Sequence, residues 1–264
     1  PSMSVGTIES SLASRLDAGG KGLVPYVMGG MQPDWLDVVR ALADAGADAI
    51  EVGIPFSDPV MDGPVIQQAG GQALAAGTTP LGVVEALAEV DAGVPIAVMT
   101  YYNPILRAGD HRFASSLAAA GIAGAIVPDV PLEELDPWEA AANQAGVETI
   151  LLAAPTADDA RLERSCARAS GFVYGVGLLG VTGERTELAE SATAIAGRLK
   201  PLTDLPVLVG VGVSTPEQAA QISEVSDGVV VGSALVRRLL EGCGPLGAAQ
   251  FVGELRQALD GAHP

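Results

Sequence analysis

The chain has 264 residues, 14 basic and 32 acidic, for a formal net charge of −18. That balance argues against binding to nucleic acid or to an anionic membrane, since both need a cationic surface. A hydrophobic fraction of 48% with 33 glycines and 4% aromatics suits a globular chain of many short buried strands packed on helices, and the length allows one large α/β barrel or two smaller domains.

The N-terminal run Pro1-Ser2-Met3-Ser4-Val5-Gly6-Thr7 lacks a basic region followed by an apolar core, and no stretch of 18 apolar residues occurs anywhere. Residues 1–6 read as a flexible terminus, with Pro1-Ser2 an appendage before Met3, and the expected location is cytoplasmic. Ile8 to Asp17 follows as a helix ahead of the first strand, placed to plug the bottom of a barrel. Short β-branched runs then alternate with Ala-rich amphipathic segments, the pattern of repeated βα units around a parallel sheet. Strands are expected near 23–28, 49–54, 96–101, 123–128, 148–153, 171–176, 206–211 and 228–231. Helices fall at Asp34 to Ala45, Arg112 to Ala120, Asp158 to Ala169 and Pro216 to Glu224, with two more after the second strand, Val65 to Ala76 and Pro80 to Asp91. Eight βα units close naturally as a (β/α)8 TIM barrel, for which about 250 residues is typical; a doubly wound open sheet is the alternative. No linker divides the chain, so one domain over 1–264 is expected. Cys166 and Cys243, in helix-like segments, are too few for a disulfide framework or zinc cluster and read as packing thiols in a reducing compartment. No metal site is expected.

The most informative stretch runs from Asp48 to Pro64, DAIEVGIPFSDPVMDGP. Alternation sends Ile50, Val52 and Ile54 to one strand face and Glu51 and Gly53 to the other. If the apolar set meets the surrounding helices, Glu51 points into the barrel, where an unpaired carboxylate is costly unless it is used. Asp62 supplies a second acid in the following loop. In such barrels the reactive residues gather at the carboxyl ends of the strands, which adds Tyr26, Tyr101, Asn103, Asp129 and Tyr174 as pocket candidates. Near the C-terminus, Gly210-Val211-Gly212 and Val231-Gly232-Ser233 each lead from a strand toward a helix start. Small residues there let backbone N–H groups reach a phosphate without a lysine. After strand 6, Leu178 to Glu187 carries glycines that suit a mobile lid, bringing Thr182 toward the two acids.

The motifs IEVGIPFSDPVMDGP, MTYYNPI, IVPDVP, FVYGVGLLGVTG, VGVGVSTPEQ and VGSALV occur in this order between Leu23 and Val236. Together they resemble the tryptophan synthase alpha chain family. The resemblance implies retro-aldol cleavage of indole-3-glycerol phosphate to indole and glyceraldehyde 3-phosphate, with Glu51 and Asp62 as the catalytic acids. It further implies that Thr182 orients Asp62, that Gly183, Gly212, Gly232 and Ser233 contact the phosphate, and that Tyr101 and Tyr174 form the pocket wall. No cofactor is implied for this chain; pyridoxal phosphate belongs to a beta chain that joins it in an αββα complex. Departures from the family pattern fall at Met28, Met31, Gly175 and Gly177. A lyase acting alone, a phosphate-sensing scaffold subunit and a sugar-phosphate isomerase or epimerase are the competing readings.

Overall fold

A computed structural model describes residues 7–177 and 185–261 of the chain. In chain order its elements are α1 (Thr7–Asp17), β1 (Gly22–Met28), α2 (Trp35–Asp44), β2 (Ile50–Gly53), α3 (Pro64–Ala75), α4 (Pro80–Leu87) and β3 (Ile96–Met99). There follow α5 (Tyr102–Ala108), α6 (Asp110–Ala119), β4 (Gly124–Ile126), α7 (Asp136–Ala145), β5 (Glu148–Ala153), α8 (Asp159–Arg168) and β6 (Val173–Val176). The chain continues through α9 (Arg185–Leu199), β7 (Val207–Gly210), α10 (Pro216–Ser223), β8 (Gly228–Val231), α11 (Ser233–Leu240) and α12 (Gly244–Gly261). The strands pair in sequence order, all parallel, and β8 returns to β1 to close the barrel.

All eight expected strands are present, several shorter by a residue or two at their ends. Both faces of each strand are covered, so the strands are rich in buried Val, Ile and Ala, as parallel sheets require. One apolar layer lies between strands and helices and includes Val27, Ile50, Val52, Val98, Val209 and Val229. A second lies inside the barrel and comprises Val24, Ala49, Ala97, Ile126, Ile150, Phe172, Leu208 and Val230 with Ile8 and Leu12 of α1. The plug expected of the first helix is therefore real, for Ile8 and Leu12 are fully buried in the interior layer. Gly124 and Gly22 make room for it: a Cβ there would come within 2.7 Å of Ile8 Cδ1 and 2.9 Å of Leu12 Cδ2.

Buried carboxylates hold the plug in place. Glu148 accepts hydrogen bonds from the Ile8 and Glu9 N–H groups at 2.9 and 3.2 Å, satisfying first-turn donors that an α-helix leaves unpaired. Asp48 accepts from the Leu23 N–H at 2.9 Å, from Arg15 Nε at 2.7 Å and from Arg256 Nη1 at 3.2 Å. One side chain thus ties α1, β1 and α12 together.

Two sequence expectations are corrected. The helix beginning at Pro80 stops at Leu87 rather than Asp91, because the chain beyond it tightens into i→i−3 bonds, the Glu89 N–H to the Ala86 carbonyl and the Val90 N–H to the Leu87 carbonyl, before the Asp91–Gly93 turn. Cys243 lies in the turn between α11 and α12 instead of in a helix. Both cysteines are free. No helix among the described residues is long and apolar enough to cross a membrane.

Candidate active site

Glu51 is the second residue of β2, paired with Tyr26 of β1 and Ala97 of β3. Its apolar neighbours Ile50 and Val52 face the helices, so strand alternation turns Glu51 inward. It is 1% exposed, and its Oε2 has no hydrogen-bond partner among the described residues. Above it, at the carboxyl ends of the strands, opens a cavity of about 160 Å³. An engineered apolar cavity of about 150 Å³ holds benzene, so the space is on the scale of an aromatic ring.

The walls come from around the barrel. Tyr26 and Tyr174 form two sides, Asp62 and Ile66 a third, and Met99 and Val230 fill in between. Two glycines let the tyrosine rings lie flat across neighbouring strands: a Cβ on Gly53 would collide with the Tyr26 hydroxyl, and one on Gly210 would sit 2.5 Å from the Tyr174 ring. The rim opposite Asp62 is made by Gly212, at φ +91°, and by Gly232 and Ser233 at the start of α11. No lysine or arginine lines the cavity among the described residues.

Burial raises the pKa of Glu51 to about 8, and the charge of Asp62 pushes it the same way. Burial also raises Asp62, to about 6, against the opposing effect of a hydrogen bond from the Tyr101 hydroxyl. Desolvation drives both Tyr26 and Tyr174 well above the ordinary phenol value. Near neutral pH the cavity therefore holds one carboxylic acid and one carboxylate, the division of labour that acid and base catalysis on one substrate needs.

Of the residues singled out in the sequence, Tyr26, Glu51, Asp62, Tyr174, Gly212, Gly232 and Ser233 meet in this one cavity. Tyr101 stands just behind it, against the loop that carries Asp62. Asp129 lies apart from these residues: it is exposed, does not line the cavity, and accepts the Tyr102 N–H at 2.8 Å, capping the first turn of α5 from outside. Asn103 likewise faces outer grooves. Thr182 and Gly183 lie outside the described residues. Gly210, part of the first glycine turn, also lines the cavity, while Ile66, Met99 and Val230 carry no polar signal and are missed by a search for chemistry; the cross-strand pairing of Met99 with Gly53, on the face that Glu51 shares, is the cue that finds Met99.

Residues 12–254 match the model of the family described as tryptophan synthase alpha chain. The chain belongs to that family. It is 46% identical over 243 residues to the tryptophan synthase alpha chain of Thermobifida fusca, covering 89% of each, and 41% identical over 262 residues to that of Streptomyces avermitilis, covering 96% of this chain and 95% of the relative. Its fold superposes on a tryptophan synthase structure from Mycobacterium tuberculosis with a TM-score of 0.90 at 38% identity, covering 97% and 98% of the two chains. The tryptophan synthase subunit alpha of Legionella pneumophila gives a TM-score of 0.88 at 33% identity, covering 98% and 100%.

The four positions noted in the sequence as departures from the resemblance do not line the cavity. Met28 is buried with its terminal methyl over Gly70 of α3, and Gly175 faces Ile195 of α9. Gly177 packs against Val211, and Met31 is buried in the outer apolar layer.

Proposed function

We propose that Glu51 and Asp62 carry the family's lyase reaction, cleavage of indole-3-glycerol phosphate to indole and glyceraldehyde 3-phosphate. The observation that supports this most is the pair itself: two buried carboxyls in one ring-sized cavity, one neutral and one ionised near pH 7. Glu51, protonated, donates to C3 of the indole. Positive charge then spreads to the ring nitrogen, whose N–H donates to the Asp62 carboxylate, a fixed negative charge aimed at charge that develops in the transition state. The Glu51 carboxylate next takes the proton of the hydroxyl on the carbon bonded to C3. The O–H electrons become the aldehyde C=O, the C–C bond breaks, and its electrons restore the indole. The proton given equals the proton recovered, so Glu51 is ready for another cycle.

The phosphate end of the substrate suits Gly212, Gly232 and Ser233, where the free N–H groups at the start of α11 offer donors to an anion. Gly183 would add to that site, and Thr182 would orient Asp62. The chemistry consists of proton transfers and charge stabilisation, which call for no cofactor in this chain; pyridoxal phosphate is the beta chain's. Indole passes to that beta chain in an αββα complex. Around the same mouth, Val60 (80% exposed), Met61, Leu81 and Leu106 (61% exposed) present apolar surface that burial against the beta chain would remove from water. Two free thiols fit a cytoplasmic location.

The test is indole release from indole-3-glycerol phosphate by the isolated chain and by the chain with a beta subunit. Glu51→Gln should abolish it and Asp62→Asn reduce it severely, on the order of a hundredfold or more, as for removal of one strong transition-state contact. Full activity in Glu51→Gln would remove the proton shuttle from the reading.

A further inference from the structure

The loop from Ile54 to Gly63 carries Asp62 over the barrel mouth, yet few bonds fix its far end. The Ile54 N–H donates to the Met99 carbonyl at 2.8 Å, closing the near end against β3. Beyond Ile54 the loop mostly bonds to itself, Ser57 Oγ to Asp58 and the Asp62 N–H to the Pro59 carbonyl. Gln67 of α3 reaches back to the Asp62 carbonyl at 2.9 Å. Among the described residues, a hydroxyl meets it from the barrel side. Tyr101, just past the end of β3 and 4% exposed, accepts the Met61 N–H at 2.9 Å, which sets its hydroxyl beside the next residue, Asp62, whose ionised form it favours. Its ring is stacked on Phe56 of the same loop, with centroids 5.1 Å apart and planes 27° apart.

We infer that Tyr101 is a positioning residue for the reaction, its hydroxyl fixing the Asp62 carboxylate where the indole N–H will meet it and its ring pinning the loop that carries Asp62. This deepens the assignment of Asp62 and rests on it. A phenol that accepts from a loop N–H has its own O–H left to give, and Asp62 is the acceptor in reach. The bond does two things for Asp62. It sets the direction of the carboxylate, and it favours the ionised form against the burial that opposes it. The other titratable groups facing the two acids are Glu51 of β2, Tyr26 of β1 and Tyr174 of β6. Among these described groups, Tyr101 is the one that favours the ionised form of Asp62.

Tyr101→Phe keeps the ring and its stack on Phe56 and removes only the hydroxyl. The expected result is a kcat about tenfold lower or more, the worth of a hydrogen bond to a charged group, with KM changed much less, because the contact with the ring nitrogen strengthens only as charge develops. The acid limb of the kcat/KM profile should move to higher pH. In an Asp62→Asn background, Tyr101→Phe should cost less than about threefold, since a residue acting through Asp62 has nothing left to act on. An equal loss in both backgrounds, or an unmoved acid limb, overturns the inference. Should Asp62→Asn and Glu51→Gln both retain the wild-type rate, the failure lies instead with the site assignment; should they lose it while Tyr101→Phe does not, the inference alone falls. A variant that loses only thermal stability marks Tyr101 as a structural residue.

Discussion

Glu51 is placed where it weakens the fold, a cost that its proposed role in the reaction accounts for. Its pKa is raised by burial to about 8 from an ordinary 4.5, so the folded chain holds a proton that the unfolded chain releases as pH rises between those values. The Glu51 contribution to stability must therefore fall across that window, by at most about 1.4 kcal/mol per pH unit, and level off above pH 8, with Asp62 adding its own fall below about pH 6. Glu51→Gln should match the wild type near pH 4.5 and exceed its stability by a few kcal/mol at pH 8 to 9, read by denaturant melts at each pH. A variant less stable than the wild type at pH 8 would contradict the burial argument. The same two acids shape the rate. With Asp62 at about 6 needing to be ionised and Glu51 at about 8 needing its proton, kcat/KM should rise through pH 6 and fall through pH 8, a bell whose two limbs belong to the coupled pair. At this scale the sequence was readable for Glu51, because one acid among apolar strand residues is conspicuous. It was not for Asp129, whose side chain turns outward to cap α5, a direction set by the path of a loop rather than by residue type.

At the scale of single elements, the βα rhythm made all eight strands and the plugging helix legible, since period and composition carry that information directly. Helix ends were less so. The i→i−3 bonds over Glu89 and Val90 that end the post-strand helix early are a local hydrogen-bond choice that periodicity does not report. The Tyr26 over Gly53 and Tyr174 over Gly210 pairs were equally hidden, because each needs the register between two strands. The α1 plug depends on Asp48, which holds Arg15, Arg256 and the Leu23 N–H. Asp48→Ala leaves Arg256 its ion pair with Asp260 at 2.6 Å and its bond to the Lys21 carbonyl at 2.9 Å but takes the acceptor from the buried Leu23 N–H, and should destabilise the fold by about 1–3 kcal/mol, seen as a lower midpoint in urea. A change below about 0.5 kcal/mol would mean that the tie is dispensable.

For the molecule as a whole, the motif order made the family legible from end to end, while the surface that meets a partner was not, because exposed apolar residues on a loop look like any other loop in sequence. Only the fold brings Val60 and Met61 of the β2 loop and Leu106 of α5 to the same end of the barrel. Leu106→Asp, remote from both acids in the chain and exposed, should leave indole release by the isolated subunit unchanged and weaken its activation by the beta chain. Unaltered activation, measured by titrating the beta subunit, would move the contact elsewhere on that rim.

The stopper that α1 forms has a consequence for traffic. Ile8 and Leu12 seal the base of the barrel with side chains fully out of water, so among the described residues the chamber is closed at its base. Substrate and products then have to pass at the carboxyl ends of the strands. Whatever stands over the carboxyl ends of the strands thereby governs the exit of indole, and an enzyme built this way needs no internal gate to choose a direction for its product.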